Sequence, residues 1–258
     1  MTMDYLLENF GLSGKVAMVT GGNSGIGWAI AQGLAKAGAD LFLYTHSARN
    51  IEEVTKEIEA IGRKVKFAHG DLDREDDAMA AVEKCIEAYG KIDILVNNAG
   101  MIHRAPLLEG DNEGWKKVID LNLSAVYYLS KVAGRHMTQQ GSGKIINIAS
   151  MLSFQGGKFV PSYTASKHGV AGLTKAFANE LAESNVQINA IAPGYIETAN
   201  TAPIRADEKR NAEILGRIPA GRWGKTEDLA AAAVFLASKA SDYMNGHVLC
   251  VDGGWLVR

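Results

Sequence analysis

The sequence contains little proline, little cysteine and no excess of charge of either sign. Its 258 residues include 5 Pro and 2 Cys, and 27 Lys and Arg are balanced by 29 Asp and Glu. Balanced charge argues against a nucleic-acid partner or an anionic membrane surface, because both select basic patches. Cys85 and Cys250 have neither metal-ligand spacing nor an evident reason to pair, which is typical of a reducing compartment. The histidines do not cluster either, so we expect a cytoplasmic protein without a metal site.

Long hydrophobic segments are also missing. The longest purely apolar run extends from Leu229 to Ala237, whereas a membrane-spanning helix needs about 18 such residues. The first residues of the chain include two acids and no basic segment, so we expect no secretory signal peptide. The sequence therefore predicts neither a membrane span nor a membrane partner.

Glycine, in contrast, is abundant. It supplies 28 of the 258 residues, or about 11%, against an average usage near 7%. Glycine and proline usually rise together in loops, so an excess of glycine alone favours tight turns and close approaches of the backbone.

Short apolar segments rich in β-branched residues alternate with segments of helical periodicity. Strands that are apolar on both faces and alternate with helices are typical of a parallel sheet covered on both sides. The sequence therefore predicts an α/β fold. The predicted strands are 16–19, 41–44, 65–68, 92–96, 145–148, 188–191 and 248–251. The predicted helices are 26–37, 51–61, 78–89, 115–137, 165–183 and 227–237.

This alternation continues along the whole chain, without a repeat, a low-complexity tract or a flexible linker. We therefore predict a single domain over residues 1–258. Residues 195–224 interrupt the rhythm, because they contain helical pieces but no strand. A long insertion of this kind commonly covers a site, and a simple surface excursion is the alternative.

A glycine cluster follows the first predicted strand. Gly21, Gly25 and Gly27 stand between this strand and the next helix. Glycines allow a tight turn there and let the backbone approach a pyrophosphate, which the free N–H groups of the helix N-terminus favour. The placement between strand and helix indicates a dinucleotide site, and a purely structural turn is the alternative.

Three polar residues form a candidate catalytic group. Ser150 ends the fifth predicted strand, and Tyr163 and Lys167 follow four residues apart on a predicted helix. Residues at this spacing share a helix face, so we expect the Lys167 ammonium to lower the pKa of the Tyr163 phenol toward the working range. Ser150 could then donate a hydrogen bond to a carbonyl oxygen that gains negative charge.

Together these motifs resemble the short-chain dehydrogenase/reductase family. The glycine spacing matches its Thr-Gly-x3-Gly-x-Gly loop, and further matches occur at Asp71-Leu72, at 97–100 (Asn-Asn-Ala-Gly) and at Pro193-Gly194. The resemblance implies a Rossmann-like, doubly wound, seven-stranded parallel sheet with helices on both faces. Each match falls just beyond a predicted strand, where such sheets bind ligands.

The resemblance also implies site residues. Asn122 takes the fourth catalytic position, which holds a water for proton relay, beside Ser150, Tyr163 and Lys167. The resemblance further implies a set of cofactor-binding residues, and Thr45 and His46 join this set because they stand at the end of the second predicted strand. The full set is Gly21, Asn23, Ser24, Gly25, Ile26, Gly27, Thr45, His46, Asp71, Leu72, Asn98, Ala99, Gly100, Ile148, Tyr163, Lys167, Pro193, Gly194, Ile196 and Thr198.

The choice of nicotinamide cofactor is open at the residue level. An acidic residue about 20 positions beyond the glycines would bind the 2′-hydroxyl of NAD, but this position offers Thr45, His46 and Ser47, with Arg49 nearby. A hydroxyl and a basic group could equally accept the 2′-phosphate of NADP. The resemblance favours NAD, with NADP possible.

A closer resemblance extends over residues 97–258. The segments 149–157, 160–167, 192–195, 217–224 and 251–255 are similar to those of the 2-dehydro-3-deoxy-D-gluconate 5-dehydrogenases within this family. That subgroup reversibly reduces the 5-keto group of 2,5-didehydro-3-deoxy-D-gluconate with NADH during breakdown of uronates from pectin or glycosaminoglycans. Gluconate 5-dehydrogenase and 3-oxoacyl thioester reductase are the alternatives with the same chemistry.

A sugar-acid substrate requires a cation for its carboxylate and polar groups for its hydroxyls. Arginine suits the carboxylate, because its planar fork can bind two oxygens. We predict Arg104 and Arg205 for this role, and Gln155 for a substrate hydroxyl, beside Ser150 and Tyr163 at the carbonyl. The remaining expectation from the family is a homotetramer. A regulator that binds nicotinamide without turnover is disfavoured, since it would not need Ser150, Tyr163 and Lys167 together.

Overall fold

The computed structural model describes residues 3–258. Its seven strands are β1 (Val16–Thr20), β2 (Asp40–Thr45), β3 (Val65–His69), β4 (Ile94–Asn97), β5 (Gly143–Ile148), β6 (Val186–Pro193) and β7 (Val248–Val251). They form one parallel sheet in the order β3-β2-β1-β4-β5-β6-β7. The predicted Rossmann-like sheet is confirmed, and all seven predicted strands lie within two residues of these bounds.

Ten α-helices accompany the sheet in the described part of the chain. They are α1 (Met3–Phe10), α2 (Gly25–Lys36), α3 (Ile51–Ala60), α4 (Glu75–Tyr89), α5 (Asn112–Ile119), α6 (Ala125–Gln140), α7 (Pro161–Leu181), α8 (Ala202–Ala206), α9 (Glu208–Leu215) and α10 (Glu227–Ala237). None of the helices within residues 3–258 combines the length and apolar character that crossing a bilayer requires.

One predicted helix is wrong in its continuity. Residues 115–137 were expected to form one helix, but a π-helical turn, Asp120–Ser124, separates α5 from α6. Such a turn adds one residue to a helical repeat, and short π-helical turns are frequent at functional sites. A periodicity of 3.6 residues cannot register the extra residue. Helix α1 was not predicted, because most of its side chains are exposed and it carries no buried stripe.

The core lies on both faces of the sheet. Helices α2 and α10 cover one face and approach closely, since a Cβ added at Gly33 would lie 3.0 Å from the Cβ of Ala230. Helices α4 and α6 cover the other face and pack on residues such as Met18 and Leu95. Strands buried on both sides explain why their sequences are apolar throughout rather than alternating.

The order of the strands places a crevice between β1 and β4. The chain moves outward from β1 to β3 and then crosses back to β4 on the other side of β1. At such a switch point the loops after the strands diverge and leave room for a ligand. Val19 pairs with Val96 and Asn97 pairs with Asn147 in register, so the ends of these strands meet at one edge.

Buried side-chain hydrogen bonds connect the strands at this edge to the helices that cover them. The Asn97 amide donates to Asn147 Oδ1 at 2.8 Å and to Ser130 Oγ at 3.0 Å, and Asn147 donates to Thr174 Oγ1 at 2.9 Å. These contacts link β4 and β5 to α6 and α7. Buried polar groups that are bonded in this way fix one arrangement of their elements.

Candidate active site

The glycine loop between β1 and α2 has the shape of a close backbone cradle. Gly21 has a φ of +62° and Gly25 a φ of +54°, which L side chains rarely adopt. A Cβ added at Gly27 would lie 2.3 Å from the Gly21 carbonyl oxygen, so only glycine fits there. Helix α2 begins at Gly25, and its first N–H groups are therefore available to an anion.

Asn98 braces this cradle from the neighbouring strand. Its side-chain amide donates to the Thr20 carbonyl oxygen at 2.9 Å and to the Gly21 carbonyl oxygen at 3.3 Å. In return, the Thr20 hydroxyl accepts from the backbone N–H groups of Asn98 and Ala99, each at 3.0 Å. The ends of β1 and β4 are thus held together on either side of the switch point.

A cleft of about 710 Å³ opens in front of the cradle. Eight of the predicted cofactor residues line it: Gly21, Asn23, Ser24, His46, Asp71, Leu72, Ala99 and Gly100. Sequence reasoning missed further lining residues, among them Tyr44, Asn50, Gly70, Asp73, Met101 and Leu121. Tyr44 is notable, because its buried hydroxyl has no hydrogen-bond partner among residues 3–258 and burial raises its pKa to about 12. The phenol therefore stays protonated at the wall of the cleft.

At the end of β2, only one of the two residues predicted to contact the cofactor, His46, lines the cleft. Thr45 is 1% exposed and does not line the cleft. Its hydroxyl donates to the Ser47 carbonyl oxygen at 2.9 Å and contacts His69 Nδ1 at 2.7 Å. The alternation of side chains along a strand accounts for this, because it turns Thr45 inward and leaves the side chain of His46 exposed. His46 Nδ1 lies 2.6 Å from the Asp71 carboxylate.

The other predicted cofactor residues occupy loop and strand positions outside that cleft lining. Gly194 packs so tightly that an added Cβ would lie 2.6 Å from the Asp252 Cα. Ile196 is buried. Thr198 caps the start of a short 3-10 turn, and the backbone N–H of Thr198 donates to Thr201 Oγ1 at 3.0 Å. Pro193 ends β6. These positions, with Gly25, Ile26, Gly27, Asn98 and Ile148, stay predictions for cofactor contact.

Ser150 and Tyr163 meet across the end of the sheet. Ser150 follows β5 and caps a 3-10 turn, Met151–Ser153, by accepting from the Leu152 N–H at 3.1 Å. Tyr163 stands in the first turn of α7, which begins at Pro161, a residue favoured at a helix start. The two hydroxyls interact across these elements, and the interaction lowers the pKa of Tyr163.

Lys167 lies one turn further along α7. Its ammonium is 5.6 Å from the centre of the Tyr163 ring, so the two residues share a face as their spacing predicts. Lys167 is 5% exposed and donates to the Ile148 carbonyl oxygen at 2.6 Å. Burial lowers the pKa of the ammonium to about 8.

The protonation of Tyr163 depends on burial and on neighbouring polar groups. Burial raises the pKa of its hydroxyl, while the interaction with Ser150 and the positive charge of Arg104, on the loop after β4, lower it. Sequence reasoning missed this contribution of Arg104. The expected lowering of the same pKa by the Lys167 ammonium stays a prediction.

Asn122 sits inside the π-helical turn and is 1% exposed. Its Oδ1 accepts from the Met101 N–H at 2.8 Å, and its Nδ2 donates to the Met101 carbonyl oxygen at 2.9 Å and to Ser166 Oγ at 3.3 Å. Its amide thus clamps the loop after β4 and contacts α7 at the residue before Lys167. Ser166 supports the site in this way, and Ser153 donates from its hydroxyl to the Lys167 carbonyl oxygen at 2.6 Å. No sequence motif pointed to either residue.

The residues predicted for the substrate carboxylate and hydroxyl lie on three separate segments. Arg104 is exposed, and no residue from 3 to 258 forms an ion pair with it. Gln155 follows the Ser150 turn and is half-buried. Arg205 is on α8, with one guanidinium nitrogen 3.6 Å from the Glu197 carboxylate and a buried Nε without a partner in the described chain. Only Arg104 acts on Tyr163 in this geometry.

Other arginines of residues 195–224 have structural partners. Arg222 binds the Asp228 carboxylate through two contacts, at 2.7 and 3.0 Å. Arg217 lies 4.0 Å from the centre of the Trp255 ring. The same insertion packs Trp223 and Tyr195 on each other at 5.2 Å. This cluster includes Met151, the neighbour of Ser150, so the insertion rests directly on the catalytic turn.

Comparison with known proteins identifies the family. A family profile described as enoyl-(acyl carrier protein) reductase matches residues 21–256. A relative from Bacillus subtilis (strain 168), named 2-dehydro-3-deoxy-D-gluconate 5-dehydrogenase, is 55% identical over 256 residues, covering 99% of this chain and 100% of that protein. The chain belongs to the short-chain dehydrogenase/reductase family. It is therefore an oxidoreductase of that family.

Two further members of the family are similar over nearly the whole chain. Gluconate 5-dehydrogenase of Gluconobacter oxydans (strain 621H) is 42% identical over 248 residues, with 95% of this chain and 96% of that protein covered. A solved structure from Beutenbergia cavernae, given as a candidate NAD(P)-dependent gluconate 5-dehydrogenase with NADP bound at low occupancy, has a TM-score of 0.93. The two sequences are 49% identical, and the match covers 97% of this chain and 100% of the Beutenbergia cavernae chain. Within the described residues of this short-chain dehydrogenase/reductase, no three His, Cys, Asp or Glu side chains are grouped to hold a metal ion.

Proposed function

We propose that the enzyme reversibly reduces the 5-keto group of 2,5-didehydro-3-deoxy-D-gluconate to 2-dehydro-3-deoxy-D-gluconate, in the breakdown of uronates. One observation carries the assignment to a keto acid: Arg104, on the loop after β4, is exposed and forms no ion pair with any described residue, and its positive charge lowers the pKa of Tyr163. An unpaired cation that acts on the acid–base group suits a substrate that carries a carboxylate as well as the reacting carbonyl. The 55% identity to the Bacillus subtilis relative, which is named 2-dehydro-3-deoxy-D-gluconate 5-dehydrogenase, supports this choice.

The cradle fits a nicotinamide dinucleotide. The backbone approach at Gly21, the missing Cβ at Gly27 and the free N-terminus of α2 suit a pyrophosphate. When bound, the dinucleotide supplies or accepts the hydride at the substrate carbon. The proposed contacts are those predicted from the sequence, with the side chain of His46 rather than that of Thr45 reaching the cleft.

The chain's own residues carry the proton. In reduction, the Tyr163 hydroxyl gives its proton to the carbonyl oxygen, while the Ser150 hydroxyl donates a hydrogen bond to the same oxygen. Negative charge develops on that oxygen, so donors already in place stabilise the transition state more than the substrate. Lys167, fixed to the end of β5, supports Tyr163 from the next helical turn and is proposed to contact the nicotinamide ribose. Asn122 is proposed to hold the proton-relay water.

Arg104 and Arg205 are proposed to bind the carboxylate of the substrate, and Gln155 one of its hydroxyls. The free guanidinium of Arg104 and the unpartnered Nε of Arg205 support this assignment, because buried or free donors are available to an anion. Residues 195–224 are proposed to cover the bound substrate, since Arg205 lies on this insertion and its aromatic cluster rests on the Ser150 turn.

NAD is the proposed principal cofactor, and NADP is proposed to be accepted. The Asp71 carboxylate beside His46 places a negative charge in the cleft, which disfavours an added phosphate. Arg49 also lines the cleft and forms no ion pair with any described residue, so it is available to a 2′-phosphate. The NADP in the Beutenbergia cavernae structure supports the second choice.

Reduction of 5-keto-D-gluconate is the second candidate. The Gluconobacter oxydans relative carries that name at 42% identity, below the 55% of the first relative. A 3-oxoacyl thioester substrate fits less well, because it offers no carboxylate to Arg104. A regulator without turnover is disfavoured, because it would not need Ser150, Tyr163 and Lys167 together at one site.

We also propose that the enzyme is a cytoplasmic homotetramer. A groove of about 530 Å³ runs between α6 and α7 and is lined by Tyr127, Phe177 and Leu181 together with charged residues. Tyr127 is 39% exposed and stacks against Phe177. An exposed aromatic side chain on α6, packed against a half-buried one on α7, suits a second copy of the chain. Light scattering after size-exclusion chromatography measures the assembly directly.

Steady-state kinetics test the proposed reaction. The rates of NADH and NADPH oxidation should be compared with 2,5-didehydro-3-deoxy-D-gluconate, 5-keto-D-gluconate and an uncharged ketone. We expect kcat/KM for the diketo acid to exceed that of either other substrate by at least about tenfold, or about 1.4 kcal/mol. Equal or better use of 5-keto-D-gluconate would transfer the assignment to the second candidate. A preference for the uncharged ketone would reject both.

A further inference from the structure

The loop after β4 is fixed at two points on either side of Arg104. We call residues 101–105 the strap. At one end, both backbone polar groups of Met101 are bonded to the Asn122 amide, at 2.8 and 2.9 Å. At the other end, the Ala105 N–H donates to the Phe159 carbonyl oxygen at 3.0 Å. Among the described residues Arg104 has no such bond, and a third contact holds the middle of the strap.

That third point is the ring of His103. It packs on the first turn of α5, where a Cβ added at Gly114 would lie only 2.5 Å from Nε2. Gly114 is buried, and its lack of a side chain makes the niche that the imidazole fills. The close approach explains the glycine in a helical position, which otherwise costs about 1 kcal/mol relative to alanine.

The polar environment of the ring is sparse. His103 Nε2 is buried, and within residues 3–258 it has no hydrogen-bond partner. The Asp111 carboxylate lies 3.8 Å away, but it is engaged as the N-cap of α5, where it accepts from the Gly114 N–H. The imidazole is therefore held by the shape of the niche and by a loose charge contact, not by a strong bond of its own.

We propose that His103 is a positioning residue, which docks the strap on α5 and thereby holds Arg104 beside Tyr163 for the substrate carboxylate. The inference rests on the proposed function, since it requires an anionic substrate. An arginine on a free loop loses rotamer and backbone freedom when it binds. A strap fixed at Met101, His103 and Ala105 has lost most of its backbone freedom beforehand, so the affinity for the carboxylate rises.

The niche gives two independent ways to release the ring. His103→Ala removes the imidazole, and Gly114→Ala fills the space that it occupies. Alanine is a better helix former than glycine, so Gly114→Ala changes the docking without weakening α5 by itself. Gly172→Ala is the matched control, because it is also a helical glycine but an added Cβ meets nothing within 4 Å. Arg104→Met is the reference for complete loss of the guanidinium.

We expect each docking variant to raise KM for the diketo acid by about tenfold, as expected for lost binding energy that ground state and transition state share. The value of kcat and the KM for NADH should stay within about threefold of the parent enzyme, since neither depends on the carboxylate. The double variant should be no worse than His103→Ala, because Gly114→Ala has no ring left to displace.

Arg104→Met separates the possible failures. If it leaves KM for the keto acid unchanged, the carboxylate contact of the proposed function is wrong. If it raises KM while His103→Ala and Gly114→Ala do not, the function stands and the docking role of His103 is overturned. Additive effects in the double variant, or an equal rise in KM for NADH, would also overturn it.

Discussion

The ammonium of Lys167 donates a 2.6 Å hydrogen bond to the carbonyl oxygen of Ile148, and this contact joins α7 to the end of β5. Both groups are buried, so the bond satisfies a carbonyl that would otherwise lack a partner at the strand end. A residue predicted for catalysis therefore also holds the scaffold of the site. Its removal should separate these two roles.

Lys167→Met should abolish turnover while the protein stays folded. Burial lowers the folded pKa of Lys167 from its ordinary value of 10.5 to about 8, a penalty of up to about 3 kcal/mol on the charged form. The variant removes this penalty but leaves the Ile148 carbonyl unpaired, at about 1–3 kcal/mol. The two effects offset each other near pH 7, so little change in urea stability is expected.

The pH dependence of the unfolding free energy shows whether folding lowers or raises the pKa of Lys167. Between about pH 8 and 10.5 the unfolded chain binds more protons at Lys167 than the folded chain does. The parent enzyme should therefore gain stability relative to Lys167→Met as pH rises through this interval. The measurement is urea unfolding of both proteins at several pH values, with Lys56→Met, an exposed lysine on α3, as control. A difference that is constant with pH would contradict the lowered pKa.

Tyr163→Phe should remove activity in both directions while cofactor binding persists. The raised pKa of the phenol keeps its proton in place through neutral pH. The parent enzyme should then sustain reduction across this range, whereas oxidation, which needs the phenolate, should accelerate as pH increases. Rate profiles in the two directions and fluorescence titration with NADH check this. Retained turnover in Tyr163→Phe would remove the tyrosine from the mechanism.

Arg104→Met should act on both substrate affinity and Tyr163. Loss of a charge-assisted contact raises KM for the keto acid by about 10- to 100-fold. Because the Arg104 charge lowers the pKa of Tyr163, the variant should also shift the rise of the oxidation rate to higher pH. Arg210→Met serves as control, since its guanidinium pairs with Glu213 at 3.0 Å on α9. A shift in KM without any shift in the pH profile would contradict the electrostatic contact.

Arg49→Met should discriminate between the two cofactors. Its side chain lines the cleft near His46 and Ser47, where a 2′-phosphate would need a cation. We expect KM for NADPH to rise by about tenfold and KM for NADH to change little. Arg74→Met, an exposed arginine that does not line the cleft, is the control. An equal rise in KM for both cofactors would mean that Arg49 contacts a part of the dinucleotide common to NADH and NADPH.

Sequence spacing predicts the sheet, the glycine cradle and the pairing of Tyr163 with Lys167, because each depends on contacts within one or two elements. It misses features that depend on the meeting of distant segments. The approach of Arg104 to Tyr163 and the clamp of Asn122 on Met101 arise only after β4, α5 and α7 are packed together. Likewise, alternation along β2 places Tyr44 and Thr45 on opposite faces, but the sequence does not tell which of these faces borders the cleft.

The adjacent residues Asn97 and Asn98 have the same side chain but different structural roles. Asn97 reaches down into the sheet toward Asn147, and Asn98 reaches across to the loop at Thr20 and Gly21. Neither side chain can substitute for the other, because consecutive residues at a strand end face opposite ways. Tandem repetition of one residue type here is not redundancy. Damage at the first position should loosen the scaffold, and damage at the second should deform the mouth of the dinucleotide cleft.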